Sequence, residues 1–260
     1  MTMQGWELQD IHLRRGQTPV FAGLHLQLHE ARIGLIGFNG AGKTSLLRML
    51  AGLDVPQQGR IVRQGETLHS AERGHAPSRR VGLMFQNPDD QIIFPTVQEE
   101  LQLSWRSAHP GSSRAQAAQA VADFLQQRGL AHWAERAVGS LSQGQRQWVC
   151  WLAMRVAQPE VLLLDEPYAS LDLPGQLRLA KAVVKQAGWN AAILLADFDV
   201  HLRALAVHDA GFGLGQQGQG GQQQNKATTH GKPSSTKCVG LYHAPFLTPI
   251  KAAAWRLRAY

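Results

Sequence analysis

Length, composition and charge limit what this chain can be. Its 260 residues are 44% hydrophobic and 17% charged, so most of the chain can bury a core, and we expect one or two compact domains. Two cysteines exclude a disulfide framework and favour a reducing compartment, and the apolar runs are too short to cross a bilayer. Residues 215–260 hold six basic and no acidic residues and so carry +6 of the net charge of +7. The remaining body is almost neutral, so we expect no nucleic-acid partner.

The predicted elements begin with strands. The first 30 residues alternate apolar and polar side chains in places, as half-buried antiparallel strands do. Downstream, four short apolar runs predict strands at residues 32–37, 80–85, 161–165 and 191–196. Longer helical patterns separate these runs, which is the arrangement of a parallel sheet covered by helices.

A helical insert is predicted at about residues 88–158. Ser112 or Ser113 can cap a helix there, an Ala-rich run follows, and Gly129 can stop it. After Leu214 the composition changes sharply, which fits a frame shift, a fusion or a truncated gene. We expect a domain over residues 1–214 and a disordered Gln/Gly linker over residues 215–240, because so few apolar side chains cannot offset the ordering entropy. Residues 241–260 form a basic tail with no clear strand or helix period.

A phosphate-binding pattern follows the first predicted parallel strand. Residues 37–44 read G-F-N-G-A-G-K-T and match G-x-x-x-x-G-K-[ST], in the strand-to-helix context that the motif requires. Its three glycines let successive N–H groups point into one concavity, and the following helix aims its positive end at the same point. Lys43 supplies a charge for the β- and γ-phosphates, and the Thr44 hydroxyl can ligate Mg²⁺.

Two carboxylates end another predicted strand. The run V-L-L-L is followed by Asp165 and Glu166, at the carboxyl end where open α/β sheets bind ligands. Beside a phosphate loop, Asp165 would hold Mg²⁺ through its water shell, and Glu166 could polarise the water that attacks the γ-phosphate. A helix cap or a solvated loop is the alternative for such a pair.

Residues 141–145, L-S-Q-G-Q, open a further helical pattern. Ser142 fits an N-cap position, with exposed N–H groups behind it that offer a second anion site. With these motifs in this order, the chain resembles the ATP-binding cassette (ABC) ATPases over residues 1 to about 214. Walker A corresponds to residues 37–44, the signature to residues 141–145, and Walker B to the run that ends at Glu166.

The resemblance implies a fold and an assembly. The fold would be an α/β P-loop NTPase core of mostly parallel sheet, with an antiparallel N-terminal β subdomain and a helical signature subdomain. ATP would lie between two cassettes, either a homodimer or a heterodimer with another ABC ATPase, with the signature of one subunit closing over the Walker A of the other. Ser142 and Gly144 would then contact ATP across the dimer, and Asp172 of the D-loop would help to connect the sites.

The motifs and the resemblance together imply a set of site residues. The predicted nucleotide-binding residues are Gly37, Asn39, Gly40, Ala41, Gly42, Lys43, Thr44, Ser45, Ser142, Gly144, Gln145 and Asp172. Glu166 and Gln86 are the predicted catalytic residues. Thr44, Gln86 and Asp165 are the predicted Mg²⁺ ligands.

Gln86 occupies the family's Q-loop, which passes movement to a membrane partner. The phrases F-Q-N-P-D-D-Q and P-T-V-Q-E-E-L resemble in particular the ATPases of energy-coupling-factor transporters, which import vitamins, cobalt or nickel. The resemblance implies a peripheral ATPase subunit at the cytoplasmic face of the cell membrane, bound to separate transmembrane subunits. For Asp89 and Asp90, an exposed turn and a partner contact are equally good interpretations.

The chain also departs from the family pattern. Gln143 stands where the usual signature has Gly, a change that could slow closure. The histidine that contacts the γ-phosphate is expected at Phe198, and His201 is interpreted as a surface residue. An aromatic that stacks on adenine is replaced by Arg14 or Arg15, whose guanidinium plane could stack instead.

These departures leave an alternative function open. The leading hypothesis is an ATP-hydrolysing transporter subunit. The alternative is a nucleotide-binding regulatory module with little turnover, because the switch histidine is missing. A soluble family member acting on ribosomes or DNA fits less well, since the sequence shows one cassette and no coiled-coil or zinc-binding pattern.

Overall fold

The computed structural model describes residues 5–30, 32–63, 65–70, 74–75, 81–187, 192–196, 236–242 and 251–256. An antiparallel sheet opens the chain and has the strand order β2-β1-β4-β5-β6. Its strands are β1 (Trp6–Arg15), β2 (Thr18–Leu28), β4 (Gln58–Arg63), β5 (Glu66–Ser70) and β6 (Gly74–His75). The alternating burial along β1, with Trp6, Leu8, Ile11 and Leu13 buried, confirms the predicted half-buried strand.

The second sheet carries the motifs. Its order is β11-β10-β3-β9-β8-β7, and all neighbours are parallel except β10 and β11. The strands are β3 (Arg32–Gly37), β7 (Val81–Met84), β8 (Val161–Asp165), β9 (Ala192–Ala196), β10 (Thr236–Tyr242) and β11 (Lys251–Arg256). Every residue of β8 is buried, which explains its uninterrupted apolar run. The four predicted parallel strands are therefore confirmed to within a residue at their ends.

Five α-helices accompany the sheets within the described residues. They are α1 (Lys43–Leu50), α2 (Val97–Ala108), α3 (Arg114–Gln126), α4 (Gln143–Ala157) and α5 (Leu173–Ala187). Thr96, Ser113 and Ser142 cap α2, α3 and α4, and each forms a reciprocal capping box with the residue three positions later. Ser113, rather than Ser112, is thus the cap of α3. None of the described helices is long and apolar enough to cross a membrane.

Three apolar clusters hold these layers together. One joins the antiparallel sheet to β3 and α1, a second packs α4 and α5 on β8, and a third fills the helical region between α2, α3 and α4. The predicted fold class is therefore confirmed: a P-loop core of mostly parallel sheet, an antiparallel β region and a helical region.

The end of the chain differs from the sequence analysis. We assigned residues 215–240 to a disordered linker, but residues 236–240 belong to β10, which pairs with β3 from Thr236↔Arg32 to Leu241↔Gly37. The boundary set at residue 240 divided the apolar pattern of this strand, and pairing with β3 supplies stability that no local pattern reveals. β11, within the tail left without a predicted structure, pairs with β10. Residues 215–235 lie outside the described residues.

Candidate nucleotide-binding and catalytic site

The phosphate loop joins β3 to α1. The N–H of Ala41 donates to the Phe38 carbonyl at 3.0 Å, which closes the turn. Gly42 then adopts a left-handed conformation with φ 81°, immediately before α1 begins at Lys43. A Cβ at Gly42 would lie 2.9 Å from both Val20 Cγ1 and Phe21 Cζ, so only glycine fits. The loop is therefore packed against β2 on one side and open on the other.

The open side is a cavity of about 340 Å³. Its lining comes from four separate parts of the chain: Val20, Asn39, Gly40, Gly42, Lys43, Thr44, Ser45, Gln86 and Glu166. Eight of these residues are predicted site residues, and the structure brings them together. Val20 was missed, because nothing in its own strand pattern distinguishes it from other core residues.

Lys43 is held inside this cavity. Its side chain is only 5% exposed, and Nζ donates to the carbonyl oxygens of Gly37 at 2.8 Å and Phe38 at 3.3 Å. The same Nζ lies 3.9 Å from Glu166 Oε1. The ammonium group therefore already faces the cavity where phosphate oxygens would enter.

Glu166 is fixed from two sides. Its Oε2 accepts a hydrogen bond from Gln86 Nε2 at 2.8 Å, although the two residues are 80 positions apart. Its backbone has φ 42°, in the left-handed region that glutamate rarely adopts, and its N–H donates to Ala196 O at 2.8 Å. Such strain is often found at functional positions, and here it turns the carboxylate toward the phosphate loop. The preceding Asp165 is buried at the end of β8.

The signature and D-loop residues are elsewhere in this single subunit. Ser142, Gly144, Gln145 and Asp172 do not line the cavity. Ser142 is exposed; its hydroxyl accepts from Gln145 N, and Gln145 Oε1 accepts from Ser142 N. Asp172 accepts from Gly175 N and so caps α5. The amino end of α4 therefore lies outside the cavity at the subunit's own phosphate loop.

Magnesium and a nucleotide fit the residues that are present. Among the described residues, no group of three His, Cys, Asp or Glu side chains could hold a metal ion. Thr44, Gln86 and Asp165 offer the oxygen ligands that Mg²⁺ prefers, and Mg²⁺ in nucleotide sites needs only one or two such side chains beside the phosphates. Because Gln86 Nε2 donates a hydrogen bond to Glu166, the side-chain oxygen of Gln86 is the atom suited to bind a metal ion.

Two departures from the family pattern concern the expected switch histidine and the residue expected to stack on adenine. Phe198 and His201 lie outside the described residues, as do the other residues of the expected switch region. Arg14 and Arg15 are exposed in the β1–β2 hairpin, and Arg15 forms an ion pair with Asp54. Asp54 also binds Arg48 at 2.9 Å, so Arg15 belongs to a charged cluster, whereas the Arg14 guanidinium donates to the Gln17 carbonyl oxygen.

Asp89 also has a defined position. Its carboxylate lies 2.9 Å from Arg146 Nε, which joins the segment after Gln86 to the first turns of α4. Asp90 has an exposed side chain, as both the exposed-turn and the partner-contact interpretations require. For Asp89 the structure adds an intramolecular ion pair that the sequence did not reveal, because the two residues are far apart along the chain.

Comparisons with known proteins agree with this geometry. The family model described as ABC transporter matches residues 21–169. The chain is 41% identical over 197 residues to the biotin transport ATP-binding protein BioM of Rhodobacter capsulatus, covering 76% of this chain and 81% of the relative. It is 40% identical over 178 residues to the nickel import ATP-binding protein NikO of the same organism, covering 64% and 67%.

The fold is found in solved cassettes as well. A dimeric, post-hydrolysis structure of the ATP-binding cassette MJ0796, bound to ADP and phosphate, superposes with a TM-score of 0.70 at 15% identity. The match covers 98% of this chain and all of the other, so it includes the terminal strands. A phosphate loop, a carboxylate pair and a capped signature helix in this order, on this fold and with these relatives, place the chain in the ABC transporter family as an ATP-binding subunit that hydrolyses ATP.

Proposed function

We propose that this protein hydrolyses MgATP between two cassettes and thereby powers an energy-coupling-factor-like importer through separate transmembrane subunits. The observation that carries the proposal is the hydrogen bond of 2.8 Å between Gln86 and Glu166 at the mouth of the phosphate loop. It joins the segment that precedes the helical region to the carboxylate suited to activate water.

Nucleotide binding would begin at the phosphate loop. The backbone N–H groups of residues 40–45 and the positive end of α1 would receive the β- and γ-phosphates. Lys43 would exchange its bonds to the Gly37 and Phe38 carbonyls for bonds to phosphate oxygens, a small movement within one cavity. Thr44, Asp165 and Gln86 would hold Mg²⁺, which neutralises phosphate charge when bound.

Hydrolysis would be an in-line attack of water on the γ-phosphorus. Glu166 would accept a proton from that water, and the bond from the γ-phosphorus to the bridging oxygen would break to leave ADP and phosphate. Gln86 orients the Glu166 carboxylate through the observed hydrogen bond. Lys43, 3.9 Å from that carboxylate, would stabilise the charge of the transferred group.

A second cassette completes the site in this proposal. The amino end of α4 is exposed and lies outside the cavity of its own subunit. Placed over the nucleotide of another copy, Ser142, Gly144 and Gln145 would add a second helix amino end to the triphosphate. Closure would then depend on the γ-phosphate, and its loss would favour opening. The partner cassette is either a second copy of this chain or a different ABC ATPase.

The transport role follows from the relatives. BioM and NikO are named for biotin transport and nickel import, and both share 40% or more of their aligned residues with this chain. We therefore infer an importer of a vitamin or a transition-metal ion. The protein would sit on the cytoplasmic face of the membrane, where ATP is available, bound to the transmembrane subunits.

Glu166→Gln tests the proposal most directly. The variant keeps the hydrogen-bonding shape but removes the base, so phosphate release from MgATP should fall about 100-fold or more, while ATP-induced dimers persist in size-exclusion chromatography. Glu135→Gln is the matched control, since Glu135 is exposed and accepts a bond from Gln98 Nε2 far from the cavity. Unchanged phosphate release in Glu166→Gln would remove Glu166 from its role.

Coupling to transport needs a second measurement. In vesicles that carry the cognate membrane subunits, ATP-dependent uptake should stop in Glu166→Gln and continue in Glu135→Gln. Uptake that persists without ATP hydrolysis would contradict the proposed importer function.

A further inference from the structure

The first two turns of α4 rest on the segment that follows Glu166 in the same subunit. Gln143 Nε2 donates to Ser170 Oγ at 3.0 Å, and Gln147 Nε2 donates to the Pro167 carbonyl at 3.3 Å. Between them, a Cβ added to Gly144 would lie 3.3 Å from Leu171 Cδ2, so the helix backbone packs closely against the Leu171 side chain. These contacts fall in the segment that runs from the catalytic carboxylate into the D-loop at residues 170–172.

The two glutamines that contact this segment differ in burial. They are four positions apart and therefore share one face of the helix. Gln147 is completely buried and donates to the Pro167 carbonyl, so it anchors the helix in the core. Gln143 is exposed and Ser170 is half-buried. The outer hydrogen bond can therefore be removed without opening the core.

Residue 143 is also where this chain departs from the usual signature. A glycine has no side chain and could not reach Ser170. The Gln143 side chain extends to Ser170. The Gln143 and Gly144 N–H groups have no acceptor among the described residues, so the amino end of α4 stays open to an anion.

We propose that Gln143 is a positioning residue that couples the two nucleotide sites of the dimer through Ser170. This inference rests on the proposed function, in which Glu166 acts on its own subunit's nucleotide while α4 contacts the nucleotide of the other. A change in the segment between Glu166 and Asp172 during hydrolysis is passed by the Gln143–Ser170 bond to the amino end of α4. The opposing site then responds to the state of the first.

The test is a double-mutant cycle on the full chain. It measures the rate of MgATP hydrolysis as a function of ATP concentration, under conditions in which the dimer forms. Gln143→Ala and Ser170→Ala should each lower kcat by about 3- to 10-fold, the rate equivalent of one hydrogen bond, with KM for ATP changed less than about 2-fold. The Hill coefficient should fall from near 2, the number of sites, toward about 1. The double variant should match the single variants, because both remove the same bond.

Two further variants separate positioning from general damage. Ser170→Thr keeps the hydroxyl and should therefore keep the Hill coefficient of the unchanged protein. Gln126→Ala, at an exposed position at the end of α3, should behave as the unchanged protein. Multiplicative effects in the double variant, or a Hill coefficient near 1 before any substitution, would overturn the coupling.

The same assay distinguishes the two levels of proposal. If Glu166→Gln stops hydrolysis but Gln143→Ala keeps normal cooperativity, only the coupling inference fails. If Glu166→Gln has no effect, the proposed function fails as well.

Discussion

Gly42 and Gly40 show how differently two glycines of one loop depend on their surroundings. Both have φ 81°, but a Cβ at Gly42 would lie 2.9 Å from Val20 and Phe21 side-chain atoms, whereas a Cβ at Gly40 meets nothing within 4 Å. Gly40→Ala should cost about 1–2 kcal/mol of unfolding free energy, from backbone strain alone. Gly42→Ala should lose about 1–3 kcal/mol more through overpacking. Urea denaturation of both variants measures the difference, and equal losses would contradict it.

Cys150 makes a pH-dependent contribution to the free energy of unfolding. Burial, and then the charge of Glu100, raise the pKa of its thiol from 9.0 to about 12. Between these values the unfolded chain loses the thiol proton and the folded chain keeps it, so stability falls as pH rises. Compared with Cys150→Ala, the unchanged protein should lose about 1.4 kcal/mol more per pH unit in this window. Denaturation curves at pH 9 to 11 measure the slope, and parallel slopes would contradict a buried, protonated thiol.

At the scale of elements, Glu100 organises the loop before α2. Its side chain is 3% exposed, and Oε2 accepts from the N–H groups of Ile93 at 2.9 Å and Phe94 at 3.0 Å. Glu100→Ala should lower the unfolding free energy by about 2–4 kcal/mol, because two N–H groups lose their acceptor. The Ile93 and Phe94 amides should also exchange hydrogen faster.

Two further variants test whether the Glu100 carboxylate holds this loop. Glu100→Gln keeps one acceptor oxygen and should lose less stability than the alanine variant. Asp90→Asn, on the same segment with an exposed side chain, should leave both amides protected. Unchanged exchange at Ile93 and Phe94 in Glu100→Ala would show that the carboxylate does not hold the loop.

The elements that the sequence predicted well are those whose signals are local. The caps at Ser113 and Ser142 lie three residues before their own partners, and the phosphate loop is continuous in sequence. The Gln86–Glu166 bond and the contribution of Val20 to the cavity depend on strands that meet only in the folded sheet. β10 was missed because Gly240 interrupts its short apolar pattern and a Gln/Gly-rich segment precedes it, unlike the uninterrupted apolar run of β8.

In the whole molecule, the strand order of the central sheet brings the site residues to one edge of that sheet. β9 lies between β3 and β8, so the phosphate loop after β3 and the carboxylates after β8 open on the same edge. Ala196, at the end of β9, accepts the Glu166 N–H and so links the middle strand to the catalytic turn. On its other side β3 pairs with β10, which makes the end of the chain part of the support for the phosphate loop.

Two truncations test that support. Removing residues 243–260 deletes β11 but leaves β10 beside β3, whereas removing residues 215–260 exposes the edge of β3. Beyond what the shorter truncation loses, the longer one loses the six pairs between β10 and β3 at roughly 0.2–1 kcal/mol each, and an unpaired edge next to the phosphate loop also favours aggregation. Thermal unfolding followed by circular dichroism should therefore give the highest Tm for the full chain, a lower Tm without β11 and the lowest without both strands. Equal Tm values for the full chain and the chain ending at Leu214 would show that the terminal strands do not stabilise the core, and would return the domain boundary to residue 214.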